Sequence, residues 1–133
     1  MPSTTRFEKF KLVLTGLSLI AVMAPGPAQS RQNTSTDISA TVRVAELPQQ
    51  GEQIYALIHQ GGPFASEKDG VIFGNRERLL PPFKRGYYRE YTVPTPGLWH
   101  RGTRRIVCGG RPTTPDVCYY TADHYASFRK IVP

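Results

Sequence analysis

Between Tyr87 and Val132 the chain passes through four short runs of β-forming residues, each bounded by glycine, proline or small polar residues. These runs are Tyr87–Val93, Thr103–Cys108, Val117–Thr121 and Ser127–Val132, with turn-rich Pro94–Gly97 and Gly109–Pro115 between the first three. Upstream, Leu47-Pro48 opens a stretch in which Ile54, Leu57 and Ile58 fall at helical spacing, and Gly61-Gly62-Pro63 should end it. Ile38–Val44 suits a short strand, and residues 61–86 read as loops around one apolar island, Val71-Ile72-Phe73. One helix followed by closely spaced strands predicts an α+β fold, the helix packed on a mostly antiparallel sheet of about five strands.

The first thirty residues read as something other than part of this domain. Arg6, Lys9 and Lys11 precede the largely apolar run Leu12–Met23, and Pro25–Ala28 supplies the small residues of a processing site. That is the pattern of a secretory signal with cleavage near residues 28–30. Twelve such residues fall short of the roughly 20 that a membrane-spanning helix needs, so no membrane association is expected once the signal is gone. Residues 31–37 are polar and should fray. Residues 38–133 then form a single domain, and 103 residues after Ser30 are too few for two cores.

Charge is concentrated. The formal net charge is +7, and residues 76–105 hold eight Lys or Arg against Glu77 and Glu90. A basic arc of this kind favours a polyanion, most commonly a phosphate backbone. A generally cationic exported protein would carry similar charge. Cys108 and Cys118 have no cysteine or histidine close by in the sequence with which to hold a metal, and export permits a disulfide. A bridge would staple the hairpin between the second and third of the four runs and close a loop of 11 residues counting both ends, worth about 2–3 kcal/mol by chain entropy.

Cutting RNA without a metal requires a base for the ribose 2′-OH, an acid for the departing 5′-oxygen, and cations for the charge that builds on phosphorus. Alternation along Tyr87–Val93 puts Glu90 on one face with Tyr88 and Thr92, opposite Tyr91 and Val93. Arg105 can share that face, with Arg101 in the loop just before it. His124 follows a predicted strand directly, whereas His59 sits near a helix end and His100 in a turn. Taken singly, a strand glutamate is more often solvated and a surface histidine more often idle.

Tyr88-Arg89-Glu90-Tyr91-Thr92-Val93, Arg101-Gly102-Thr103-Arg104-Arg105-Ile106 and Asp123-His124-Tyr125, in this order and spacing, resemble the microbial guanyl-specific ribonucleases, a barnase-like family. The small actinomycete enzymes are the nearer likeness. Gly62-Pro63-Phe64 and Asp69-Gly70-Val71-Ile72-Phe73-Gly74-Asn75-Arg76-Glu77 match the same family, and the likeness runs from about Ser39 to Ile131. The resemblance implies Glu90 as general base, His124 as general acid, Arg101 and Arg105 as phosphate and transition-state cations, and Tyr125 as a phosphate contact. It further implies that Glu77 accepts hydrogen bonds from guanine, with backbone amides of Asn75 and Arg76 at the O6/N7 edge and Phe73 as an aromatic surface. A carboxylate suits guanine because adenine has no N1–H to donate.

By the same resemblance the product would be a 2′,3′-cyclic phosphate, later hydrolysed to a 3′-phosphate, with no cofactor or metal. Ordinary glutamate and histidine side chains, titrating near about 4.3 and 6.5, would give such chemistry a bell-shaped, mildly acidic optimum. The expected partner is single-stranded RNA, and an acidic inhibitor of the barstar kind would suit the basic surface. A monomer is expected. Two departures stand out. The actinomycete enzymes commonly bridge a first-strand cysteine to a C-terminal one, but here Arg43 fills the first position and no cysteine follows Cys118. Gly74 replaces a larger polar residue of the guanine loop. Two other readings keep the same charge and export: a non-catalytic polyanion-binding protein, and a ribonuclease toxin with its own inhibitor.

Overall fold

Pro48 stands immediately before the helix, where a missing backbone N–H costs nothing because the first turn's amides have no intrahelical partners. The computed structural model describes residues 38–133 and, before them, only Gly16, Ser18, Ile20, Ala21 and Gly26. The expected signal and the polar segment 31–37 therefore lie almost wholly outside the described residues. No described helix is long and apolar enough to cross a membrane.

The helix, α1, spans Gln49–Gln60 and ends at Gly61, whose φ of 83° is a left-handed conformation that glycine adopts at no steric cost. The amides of Gly61 and Gly62 return to the carbonyls of Ile58 and Leu57 at 3.3 and 3.0 Å, satisfying the helix end. Ile54 and Ile58 are buried, as their spacing predicts. Gly51, also buried, lets the helix approach its neighbours: a Cβ there would lie 3.3 Å from Leu47 and 3.8 Å from Val93.

Six strands follow the chain as β1 (Thr41–Arg43), β2 (Val71–Ile72), β3 (Tyr88–Thr92), β4 (Arg105–Gly110), β5 (Pro115–Thr121) and β6 (Arg129–Val132). They form one sheet in the order β1-β6-β5-β4-β3-β2, antiparallel except where β1 lies parallel to β6. The sixth strand beyond the expected five is β2, made from the apolar island at Val71. Strict alternation sorts the side chains into two clusters. Tyr91, Val93, Ile106, Cys108, Tyr120 and Ile131 join Ile54 and Ile58 of α1. Tyr88, Val107, Tyr119 and Phe128 pack with Leu80 as the second cluster.

Element ends differ from expectation for local reasons. The first strand stops at Arg43, where Glu46 Oε2 accepts the Arg43 N–H at 3.0 Å and Val44–Glu46 forms a single 3-10 turn. The hairpin between β4 and β5 runs well into the expected turn Gly109–Pro115, leaving only residues 111–114 outside the strands. A register shift at Gly109/Gly110 makes this possible. Gly110 adopts φ 104°, and a Cβ on Gly109 would collide with the Tyr87 ring.

Cys108 and Cys118 face each other directly across β4 and β5 and are joined by a disulfide. Replacing both by alanine should lower stability by about 2–3 kcal/mol, read from urea unfolding. An unmoved midpoint would show that strand pairing alone holds the hairpin.

Candidate active site

The polar rung Thr92–Arg105–Thr121 crosses β3, β4 and β5 side by side. These three are buried to 6%, 2% and 1% exposure. Buried polar groups need partners, and the partners that these three find build the site.

Thr92 holds Arg101. Its hydroxyl accepts from Arg101 Nε at 3.0 Å and Nη2 at 2.9 Å. The Thr92 amide is itself fixed at 2.6 Å by Asp69 Oδ1. Arg101 Nη2 also reaches Glu90 Oε1 at 3.3 Å, forming an ion pair in which the glutamate side chain is 14% exposed. The other carboxylate oxygen, Oε2, accepts the Tyr125 hydroxyl at 2.7 Å. Burial, and then the hydrogen bond to Glu90, push the Tyr125 phenol up to about 12, so it stays a neutral donor to the carboxylate.

Arg105 lies beneath this pair. Its Nη1 donates to the Arg104 carbonyl at 2.7 Å, and its guanidinium carbon sits 5.9 Å from the Tyr125 ring centroid. Its buried Nε has no hydrogen-bond acceptor among the described residues.

Thr121 organises the turn that carries His124. Its hydroxyl accepts the Tyr125 amide at 3.2 Å and donates to Asp123 Oδ1 at 2.8 Å. Asp123 in turn takes the Ser127 amide at 2.9 Å and the Ser127 hydroxyl at 2.6 Å, which is why the expected strand start at Ser127 is delayed to Arg129. His124 and Tyr125 both sit at positive φ, 54° and 72°, a conformation costing about 1–2 kcal/mol per non-glycine residue. Besides these bonds, the His124 amide is tied to the Thr103 carbonyl at 2.9 Å. The His124 ring is exposed, 5.0 Å from that of Tyr125.

A cavity of about 540 Å³ joins Glu90, His124 and Tyr125 to the loop Phe73–Glu77. Phe73 stacks on Tyr125 at 5.0 Å and 30°. Asn75, at φ 49°, closes the loop with its own side chain, which donates to the Leu80 carbonyl at 2.9 Å and accepts the Leu80 amide at 3.1 Å. Its contribution toward a ligand is thereby left to the main chain. Arg76 and Glu77 line the cavity and are exposed, whereas Arg101 and Arg105 stand outside its lining. The two other histidines are engaged locally, His59 with the Tyr55 carbonyl at 2.9 Å and His100 with the Gly102 amide at 3.0 Å. Among the described residues, no three of His, Cys, Asp or Glu gather as a metal ion would require.

A model described as ribonuclease matches residues 29–132. The chain belongs to the ribonuclease family. Within it, guanyl-specific ribonuclease Sa of Kitasatospora aureofaciens is 50% identical over 95 residues, covering 71% of this chain and 96% of that one. Guanyl-specific ribonuclease Sa3 of the same organism is 54% identical over 85 residues, 64% of this chain, and the match spans 58% of Sa3's length. Among solved structures, complexes of ribonuclease Sa2 with mononucleotides superpose with TM-score 0.66 at 47% identity, covering 71% of this chain and 94% of that one. Sa2 with 3′-GMP gives TM-score 0.63 at 46% identity, covering 71% and 97%. The likeness to microbial guanyl-specific ribonucleases seen in the motifs is thus borne out, as is the α+β ribonuclease fold.

Thr92, Thr121, Asp69 and Asp123 were not singled out by sequence reasoning. Thr92, Asp69 and Asp123 stand inside the matched motifs without a role and Thr121 only at a strand end, and the hydrogen bonds that give them work form only on folding. The Asp123 carboxyl is held below the ordinary carboxylate range, first by the Ser127 hydroxyl and also by amide donors and the Thr121 hydroxyl. A lowered folded-state pKa means that this stabilisation is complete above about pH 4 and is lost as pH falls through the lowered value. Asp123→Asn should therefore be less stable than wild type at pH 7, with the gap narrowing toward pH 2. Urea titrations at several pH values test this, and a constant gap would place the acid sensitivity elsewhere.

Proposed function

We propose that this chain is a secreted endoribonuclease that cuts single-stranded RNA on the 3′ side of guanosine. The observation that carries the reading is the single cavity in which the Phe73–Glu77 loop meets Glu90, His124 and Tyr125. A base-reading surface and a carboxylate–imidazole pair then address neighbouring parts of one nucleotide.

In this reading the Glu77 carboxylate accepts guanine's N1–H and exocyclic amine, amides of Asn75 and Arg76 face the O6/N7 edge, and Phe73 offers its ring. Glu90 takes the proton from the ribose 2′-OH, whose oxygen attacks phosphorus. The bond to the 5′-oxygen breaks, and His124 delivers the proton that the leaving oxygen needs. Arg101 and Arg105 stabilise the charge on the phosphoryl oxygens, a role that fits the unsatisfied buried Nε of Arg105. Tyr125 contributes a neutral hydroxyl next to the phosphate. In the second step water replaces the nucleoside, His124 accepts its proton, and Glu90 returns one to the 2′-oxygen. No step calls for a metal or cofactor. Solved complexes of ribonuclease Sa2 with guanosine-2′-cyclophosphate and with 3′-GMP support the same base and the same two phosphate states.

Export follows from residues 1–30 acting as a signal that is removed near residues 28–30, leaving 38–133 as the catalytic domain behind a polar lead. The basic arc of residues 76–105 suits RNA and would equally suit an acidic inhibitor protein.

Matched oligonucleotides, one with a single guanine and one with adenine in its place, test the reading in EDTA near pH 6–7. Wild type should cut only 3′ to guanine and leave a cyclic phosphate. Glu90→Gln and His124→Gln should each lose about 10²–10⁴-fold in rate. Folded wild type that binds RNA without cutting it would sink the catalytic reading in favour of a binding module. The rate should also trace a bell in pH, since one carboxylate must be ionised while one imidazole is protonated. A profile still rising above pH 8 would contradict that pairing.

A further inference from the structure

Trp99 is the chain's single tryptophan, and it is 95% exposed. Its ring stands perpendicular to that of His100 at 5.4 Å and 89°, and at this exposure the indole is open to solvent. Leu98 beside it is 44% exposed. An indole so fully in water on a well-folded domain is an uncommon arrangement.

The backbone under this ring is not loose. The Leu98 amide closes a turn on the Thr95 carbonyl at 3.2 Å, and His100 Nδ1 accepts the Gly102 amide at 3.0 Å. The loop folds back so closely that a Cβ on Gly102 would lie 3.0 Å from Thr95 Oγ1 and 3.3 Å from Leu98. A hydrogen-bonded loop thus presents an exposed aromatic ring.

Its position relative to the site is set at two points. Two residues on, Arg101 pairs with Glu90. Then Thr103 ties the loop to the turn of His124, through the His124 amide at 2.9 Å and the Ala122 carbonyl at 2.7 Å. The loop contributes no residue to the lining of the cavity at Phe73–Glu77. Resting on the ribonuclease reading above, His124 protonates the 5′-oxygen of the departing nucleoside. That nucleoside lies on the His124 side of the phosphate, where Thr103 ties the loop of Trp99 to the His124 turn.

We propose that Trp99 is the stacking platform for the base of the nucleotide 3′ to the scissile phosphate. Stacking of this kind accepts any base and favours the larger purine surface. Trp99 touches no reacting atom. It holds the leaving half of the substrate so that its 5′-oxygen stays near His124.

Guanosine 2′,3′-cyclic phosphate has no leaving nucleoside and so provides the internal reference. For Trp99→Ala, kcat/KM on guanylyl-(3′→5′)-adenosine, divided by kcat/KM on the cyclic phosphate, should fall about tenfold relative to wild type. Trp99→Phe should restore most of the ratio, and wild type should prefer adenosine over uridine as the leaving nucleoside. Because this is the sole tryptophan, its emission reports contact directly. The uncleavable 2′-deoxyguanylyl-adenosine should quench it, and 3′-GMP should quench it much less. A ratio in Trp99→Ala equal to wild type, or equal quenching by the two ligands, overturns the subsite. Wild type that hydrolyses neither guanosine substrate overturns the underlying ribonuclease reading instead.

Discussion

Thr92, Arg105 and Thr121 lie side by side across the three central strands, and their burial is the constraint on which the rest of this structure depends. A hydroxyl or guanidinium taken out of water must find partners or the sheet loses stability. Thr92 finds Arg101, Thr121 finds Asp123 and the Tyr125 amide, and Arg105 finds the carbonyl of Arg104. The pairings of Thr92 and Thr121 each hold a loop over the sheet. Arg101 and Tyr125 thereby both reach Glu90, from 11 and 35 residues along the chain, and His124 lines the same cavity as Glu90 and Tyr125.

The Glu90 carboxylate is the meeting point of that arrangement. One oxygen faces the Arg101 guanidinium and the other the Tyr125 phenol, so the group is aimed from both sides while it remains at the cavity surface. In the proposed role of Glu90 as base, a carboxylate held in this way would need little reorganisation during reaction. The turn at His124 and Tyr125 shows a related economy. Two consecutive residues at positive φ are unfavourable, and the conformation persists because Asp123, Thr121, Ser127 and Thr103 each supply a hydrogen bond that fits it.

Helix α1 contributes no residue to the lining of that cavity. It covers one face of the sheet, where Tyr91, Ile106 and Tyr120 close the main core, while a second cluster around Tyr88, Val107 and Tyr119 packs with Phe73, Leu79 and Tyr125. The disulfide lies in the main core cluster, between β4 and β5. It ties together the two strands that carry Arg105 and Thr121, at the end away from them.

Helical spacing of apolar residues, period-two alternation and turn residues were enough to read the helix, five of the strands and the two faces of β3 from the sequence, because these depend on neighbours along the chain. The same local signals placed Glu90 on the face shared with Arg105, and the motifs in order marked His124, Tyr125 and the Phe73–Glu77 loop. Strand lengths were less legible. The hairpin ran past its glycines because Gly109 lies under the Tyr87 ring and Gly110 absorbs a register shift, and both depend on contacts across the sheet. Thr92, Thr121, Asp69 and Asp123 could not be recognised as supports, since a hydroxyl or carboxylate acquires that task only when the folded backbone brings a donor beside it, the Arg101 guanidinium for Thr92 and backbone amides for the others. Sequence by itself determined which groups were available for chemistry and which face of a strand each would take. Tertiary structure alone decided which of them touch, because hydrogen bonds act over about 3 Å and only the folded chain brings distant segments that close.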